Sequence, residues 1–184
     1  MPAEKLPDRK QRKHVNSIMK ISEWKQKIIE SLVLDDQLSK LLWYNSADAL
    51  SRKSLTEDQK YELADSSSDM LRVHGTMYTP EVMMDQKTFI GMSIANFGPQ
   101  EIHYQLSNRF LIGYLYIYIL VDNKIMVIDE GWRQDKILER IYDILEGSRM
   151  IGMGEMQLGN FNDLWEQNNK FGGYTVMMKI YDFM

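Results

Sequence analysis

No cysteine occurs anywhere in the 184 residues, and that absence removes three kinds of chemistry at once. Disulfide scaffolds, thiolate metal sites and cysteine nucleophiles are all excluded. Histidine is scarce as well. His14, His74 and His103 stand far apart and show no paired ligand spacing, so a zinc or two-histidine centre has no support. Long apolar runs are also missing. The longest, Phe110 to Val121, has 12 residues and is crowded with tyrosine, well short of the roughly 20 that a membrane-spanning helix needs. Residues 1–16 are polar and carry no apolar stretch of the signal-peptide kind. The expectation is a soluble protein, intracellular when synthesised, with no membrane partner.

Catalytic motifs are missing too. Gly152-Met153-Gly154-Glu155-Met156-Gln157 begins like a dinucleotide loop. It lacks the third glycine, and it follows a helical pattern where that fingerprint must follow a strand. Neither a phosphate loop ending in Gly-Lys-Ser/Thr nor a Gly-x-Ser-x-Gly nucleophile elbow is present. Two acid pairs stand out, Asp35-Asp36 and Asp129-Glu130. The first sits where a helix starts, a position at which carboxylates cap backbone donors. The second falls at a strand end with no evident partners for a metal. Asp122-Asn123-Lys124 has the spacing of a short nuclease motif but lies in a hairpin turn. A metal-dependent hydrolase therefore ranks last among the functions considered. The sequence predicts no enzyme, no cofactor and no metal.

What is present is ordinary in bulk and unusual in detail. Hydrophobic residues make up 44% and charged residues 26%, the usage of a globular domain rather than a disordered chain. The length suits one domain. Net charge is −4 and unevenly placed. Lys5, Arg9, Lys10, Arg12 and Lys13 against Glu4 and Asp8 give residues 1–14 a balance of +3, leaving −7 for the rest. An acidic body argues against a nucleic-acid-binding main surface. The basic arm either touches phosphate or an acidic neighbour, or is simply a solvated terminus.

Hydrophobic spacing predicts a helix from about Ser22 to Leu34, with Trp24, Ile28 and Leu32 on one face. A second, short helix carries Leu38, Leu41 and Leu42, capped by Asp35. Residues 44–70 are polar, hold a capping box at Thr56-Glu57-Asp58-Gln59, and read as an insertion lying over the surface. The period then becomes extended. Val73–Tyr78 and Glu81–Met84 are weak strand candidates, Thr88–Ala95 a better one, and Phe97-Gly98-Pro99-Gln100 a turn. Phe110–Val121 is the strongest strand, with one aliphatic face and one bearing Tyr114, Tyr116 and Tyr118. Asp122-Asn123 reverses the chain, and Lys124–Ile128 is expected to return as its partner. Arg133–Glu146 forms a helix striped by Ile137, Leu138, Ile141, Ile144 and Leu145. A glycine- and methionine-rich stretch at 147–160 follows, then a short apolar element at Phe161–Trp165 and a last strand at Tyr174–Phe183. The order predicts an α+β fold, a mostly antiparallel sheet with helices on one face. Residues 1–20 form an arm, and 21–184 form one domain with the insertion at about 44–70.

The chain holds 14 methionines and 10 tyrosines. Methionine adapts to irregular partners and tyrosine is favoured at contact surfaces. Tyr114, Tyr116 and Tyr118, with Met150, Met153 and Met156, are therefore the candidate interface residues. For any one of them, filling an irregular core is the simpler role.

Trp24 to Trp43, the strand Phe110–Val121, the helix with Arg140-Ile141-Tyr142-Asp143-Ile144-Leu145, and the closing strand after Phe161-Asn162-Asp163-Leu164-Trp165 and Gly173-Tyr174 resemble, in their order and rhythm, the phage tail completion or tail terminator proteins. The resemblance spans roughly residues 20–184. The basic arm lies outside its pattern. It implies a small α+β subunit of a virion, assembled in the host cytoplasm, that forms a ring, commonly a hexamer. Such a ring joins the tail tube to neck or connector proteins, and DNA only passes through its lumen. The alternative from the residues themselves is a cytosolic binding or regulatory module without catalysis.

Overall fold

A computed structural model describes residues 16–77, 86–99, 110–165 and 170–183. The first two helices follow their apolar spacing. α1 (Asn16–Leu34) buries Trp24, Ile28 and Leu32, and starts six residues before the expected Ser22. α2 (Asp36–Trp43) begins where the Asp35 carboxylate accepts from the Leu38 amide at 2.7 Å, and it buries Leu38, Leu41 and Leu42. α3 (Glu57–Glu62) opens on the full capping box of Thr56 and Gln59, in which side chains and backbone amides satisfy each other at the helix start.

Among the described residues, five strands build the main sheet in the order β1-β2-β3-β7-β6. They are β1 (Val73–His74), β2 (Thr88–Pro99), β3 (Phe110–Asp122), β6 (Gln157–Trp165) and β7 (Phe171–Phe183). All neighbours are antiparallel except β1, which runs parallel to β2. β3 and β7 pair along their whole length, from Phe110↔Phe183 to Asp122↔Phe171. Alternation then decides the faces. Leu115, Ile117, Ile119 and Val121 of β3, with Val176, Met178 and Ile180 of β7, are buried and join the helices in one core. α4 (Arg133–Leu145) completes it with Ile137, Ile141 and Leu145. Each fully buried Ile or Leu stabilises the fold by about 1.5–3 kcal/mol relative to exposure. The α+β architecture and mostly antiparallel sheet thus agree with the periodicity.

Several local expectations are corrected. Lys124–Ile128 does not return along β3. The Asp122 carboxylate accepts from the Lys124 amide at 2.9 Å and starts a 3-10 turn at Asn123–Ile125. β4 (Val127–Ile128) then pairs with β5 (Gly131–Trp132) in a separate small ribbon. Phe97 to Pro99 belong to β2, not to a turn. The chain absorbs the irregularity as a bulge between Ala95 and Gly98, with Asn96 at a left-handed φ of 58°. Asparagine tolerates that conformation better than most residues. The bulge turns the Phe97 ring onto Gly113 and toward Trp24, 6.0 Å between ring centres. The polar segment at 44–70 lies over the surface yet is pinned into the core, because Ala49, Leu55 and Leu63 are buried. Of Val73–Tyr78 only Val73–His74 is strand, and Glu81–Met84 lies outside the described residues. The short element at Phe161–Trp165 is the end of a nine-residue strand. Among the described residues, no helix is long and apolar enough to cross a membrane.

Candidate functional site

The tyrosines of β3 lie on the sheet face turned away from the helices, all half-buried. Tyr114 and Tyr116 tilt against each other with ring centres 6.3 Å apart. The Asn96 amide donates to the Tyr116 hydroxyl at 2.9 Å. Opposite them stand Ala95 and Ser93 of β2 and Lys179 and Met177 of β7. Tyr118 differs, since it packs on a second small cluster of Phe89, Leu120 and Phe171. Phe89 and Phe171 meet edge to face at 5.4 Å. The sequence pattern therefore groups three residues that the fold divides into a mixed polar strip and an apolar corner.

The methionines separate more sharply. Gly147 N donates to Met156 O at 2.9 Å and Met156 N to Ser148 O at 2.8 Å, which closes residues 148–156 into a tight loop. Met153 N donates to Tyr181 O at 2.8 Å, and Arg149 pairs with Glu155 across the loop at 2.7 Å. Gly152, at φ +72°, lies so close to the Tyr181 carbonyl that any side chain there would collide. Within this frame Met156 is fully buried and offers no surface to a partner. Met150 is half-buried, its sulfur 3.7 Å from the Ser31 hydroxyl. Met153 is 63% exposed at the tip. Burial thus removes Met156 from the candidate interface.

The surface that sequence reading missed is the outer edge of β6. Among the described residues it is the last strand of its sheet, and its only charged residue is Asp163. Edge strands are commonly blocked by lysine, proline or a bulge. Here lysine and proline are absent, and the bulge is confined to the start, between Leu158 and Asn160. The Leu158 amide there donates to the Glu146 carboxylate at 2.6 Å. Phe161 is half exposed and packs edge to face on Tyr174, 5.7 Å between ring centres. The Tyr174 hydroxyl donates to Asp135 Oδ1 of α4 at 2.8 Å. Asp163 stands directly opposite Tyr174. The hydrogen bond to Asp135 pushes the Tyr174 phenol up to about 12, with burial and the charges of Asp135 and Asp163 adding to it. The result is an acidic and aromatic strip along an edge that is unpaired among the described residues. A count of lysine and proline across residues 157–165 is the signal that could have found it.

Several other polar groups hold elements of the scaffold together. Asp35 caps α2 and also takes Arg140, with Nη2 to Oδ2 at 2.7 Å. Asp36 meets Lys40 at 3.1 Å and the Ser54 hydroxyl at 3.1 Å. Asp129 and Glu130 are exposed at the turn between β4 and β5. Arg133 is fully buried and donates to the carbonyls of Ile125, Leu41, Tyr44 and Ser46 at 2.7–2.8 Å. Burial lowers its guanidinium to about 10. His74 is buried against the Phe89 ring, and burial, then the charge of Arg72, holds it below the usual histidine range. His14 and His103 lie outside the described residues. Among the described residues, no three acidic or histidine side chains converge as metal ligands would.

No curated protein matches the sequence. A family model does, that of the YomW family, over residues 35–180, from the N-cap of α2 to near the end of β7. Because that match takes in well over half of the chain, the protein belongs to the YomW family and is phage-related.

Proposed function

We propose that this protein is a structural subunit of a phage virion, of the tail terminator, tail completion or neck kind, which assembles into a ring between the tail tube and the head-tail connector. The observation that carries the reading is the outer edge of β6, unpaired among the described residues, in a chain of a phage-related family. An unprotected sheet edge in a monomer invites uncontrolled pairing. In a ring every such edge is covered by the next copy, so the hazard becomes the joint. The pinned loop at 148–156 suits the same role, because it holds Met153 outward on a fixed frame. An acidic body with −7 charges over residues 15–184 lets DNA pass through a lumen without adhering.

The reading is non-catalytic. Asp35, Asp36 and Arg133 are engaged in caps, ion pairs and backbone carbonyls, where they hold elements together. Sedimentation of the purified chain is the test. A ring subunit runs as a discrete assembly of several copies and adds to isolated tail tubes. A chain that stays monomeric at all concentrations, and with tail-tube and neck proteins present, speaks for the cytosolic binding module instead.

A further inference from the structure

We propose that the β4-β5 ribbon of one copy seats Trp132 in a groove between α1 and the 148–156 loop of the next copy. The contact rests on the ring reading above and adds a second joint to the β6 edge.

The ribbon presents an apolar pair on a fixed frame. Val127 and Trp132 stand opposite each other across it, and they are 62% and 51% exposed. Ile128 is buried, so the ribbon is anchored through one face and shows the other. The Arg133 amide donates to the Met126 carbonyl at 2.8 Å, and the Asp129 amide to the Ala47 carbonyl at 3.0 Å. The buried Arg133 guanidinium holds the Ile125 carbonyl as well. A tryptophan positioned in advance gives up little freedom on binding, and such aromatic anchors dominate interface energies. The turn beside it carries exposed Asp129 and Glu130.

The groove is its counterpart. Lys27, Glu30, Ser31 and Leu34 of α1, with Met150 of the loop, line about 280 Å³. That is smaller than the roughly 300–1,000 Å³ of small-molecule sites and suits one large side chain. Leu34 and Met150 supply apolar wall, and a methionine sulfur packs favourably against an aromatic ring. Glu30 is exposed and offers an acceptor to the indole N–H, which a buried tryptophan needs. Lys27 supplies the charge that Asp129 and Glu130 call for. It meets Glu23 at 2.6 Å, an exposed pair of the kind that contributes little, so its ammonium can turn to a neighbour. Lys136, the cation that feels Glu130 in its own copy, is engaged by Glu139 at 2.8 Å.

The ribbon and the groove of one copy do not meet. The ribbon leads into the first residue of α4, and the loop with Met150 follows its last turn. α4 spans 13 residues, about 20 Å. Met153 N holds the loop to Tyr181 O at 2.8 Å, and no ribbon residue lines the groove. Each copy thus carries two different complementary patches, which is what a head-to-tail contact requires.

The chain has no cysteine, so introduced ones report the contact without background. The test mixes full-length Glu130→Cys with full-length Lys27→Cys under mild oxidation. A disulfide between the two kinds of copy is expected, and neither variant should crosslink alone. Separately, Trp132→Ala should weaken self-association about thirtyfold or more. Lys27→Glu should weaken it about tenfold, and adding Glu130→Lys to the same chain should restore it. Circular dichroism establishes that each variant is folded. Assembly with unchanged affinity in Trp132→Ala, or without the 27–130 disulfide, overturns the proposal and leaves the ring standing. So does a Lys27→Cys chain that crosslinks to added tail-tube protein and not to Glu130→Cys. Two-fold dimers joined by the disulfide keep the contact and overturn the ring reading. A full chain that never associates overturns both.

Discussion

The guanidinium of Arg133 donates to the carbonyl of Leu41, 92 residues earlier in the chain, at 2.7 Å. That bond and its companions to Tyr44 and Ser46 cap the end of α2 with a side chain from the start of α4. The last carbonyls of a helix otherwise lack partners. One buried cation therefore fixes the exit of α2, the loop beyond it and the base of the β4-β5 ribbon.

Arg133→Met is expected to cost about 3 kcal/mol or more, because it leaves several buried carbonyls without donors. Arg133→Lys should also destabilise, since a single ammonium cannot span four acceptors arranged around a planar fork. Urea unfolding checks this, with a lower midpoint and an unchanged slope.

Gly113→Ala tests the contact behind the β2 bulge. The added methyl would fall inside the Phe97 ring, and overpacking of this kind costs about 1–3 kcal/mol. Phe97→Leu in the same chain should recover part of that loss. Without such coupling in a double-mutant cycle, the ring does not control the site.

These two positions also mark what the sequence made legible. The 3.6 period gave α1, α2 and α4, and the alternation of β3 identified Leu115, Ile117 and Ile119 as core. Both signals are local and follow from one face being buried. Arg133 carries no local signal of its role, since its partners lie up to 92 residues away. The chain after Asp122 departs from the expected hairpin for the same reason. A tight reversal predicts a hairpin locally, whereas the Asx contact to Lys124 diverts the chain and the 13-residue β7 takes the pairing. Spacing alone could not divide Met150, Met153 and Met156 into half-buried, exposed and core, because no period governs a loop.

Met153 and Met156 should therefore behave oppositely. Met156→Ala removes a fully buried side chain and is expected to cost about 2–5 kcal/mol. Met153→Ala should leave stability within about 0.5 kcal/mol and, if the proposed ring role holds, weaken binding to tail proteins. Thermal unfolding beside a tail-binding assay separates the two.

The Tyr174–Asp135 pair predicts a pH response. Tyr174 is raised from 10.0 to about 12 in the folded chain, so folding favours its protonated form. Its contribution is fully present below pH 10 and is lost as pH rises toward 12. Asp135→Asn should let one tyrosine ionise earlier in an ultraviolet titration. Tyr174→Phe should remove that step altogether.

The central claim is that the subunits form a ring, and electron microscopy of the purified full chain tests it most directly. The account predicts closed rings with a central opening, each built from several copies in head-to-tail contact. Isolated single particles at every concentration, or two-fold dimers with no opening, would contradict it.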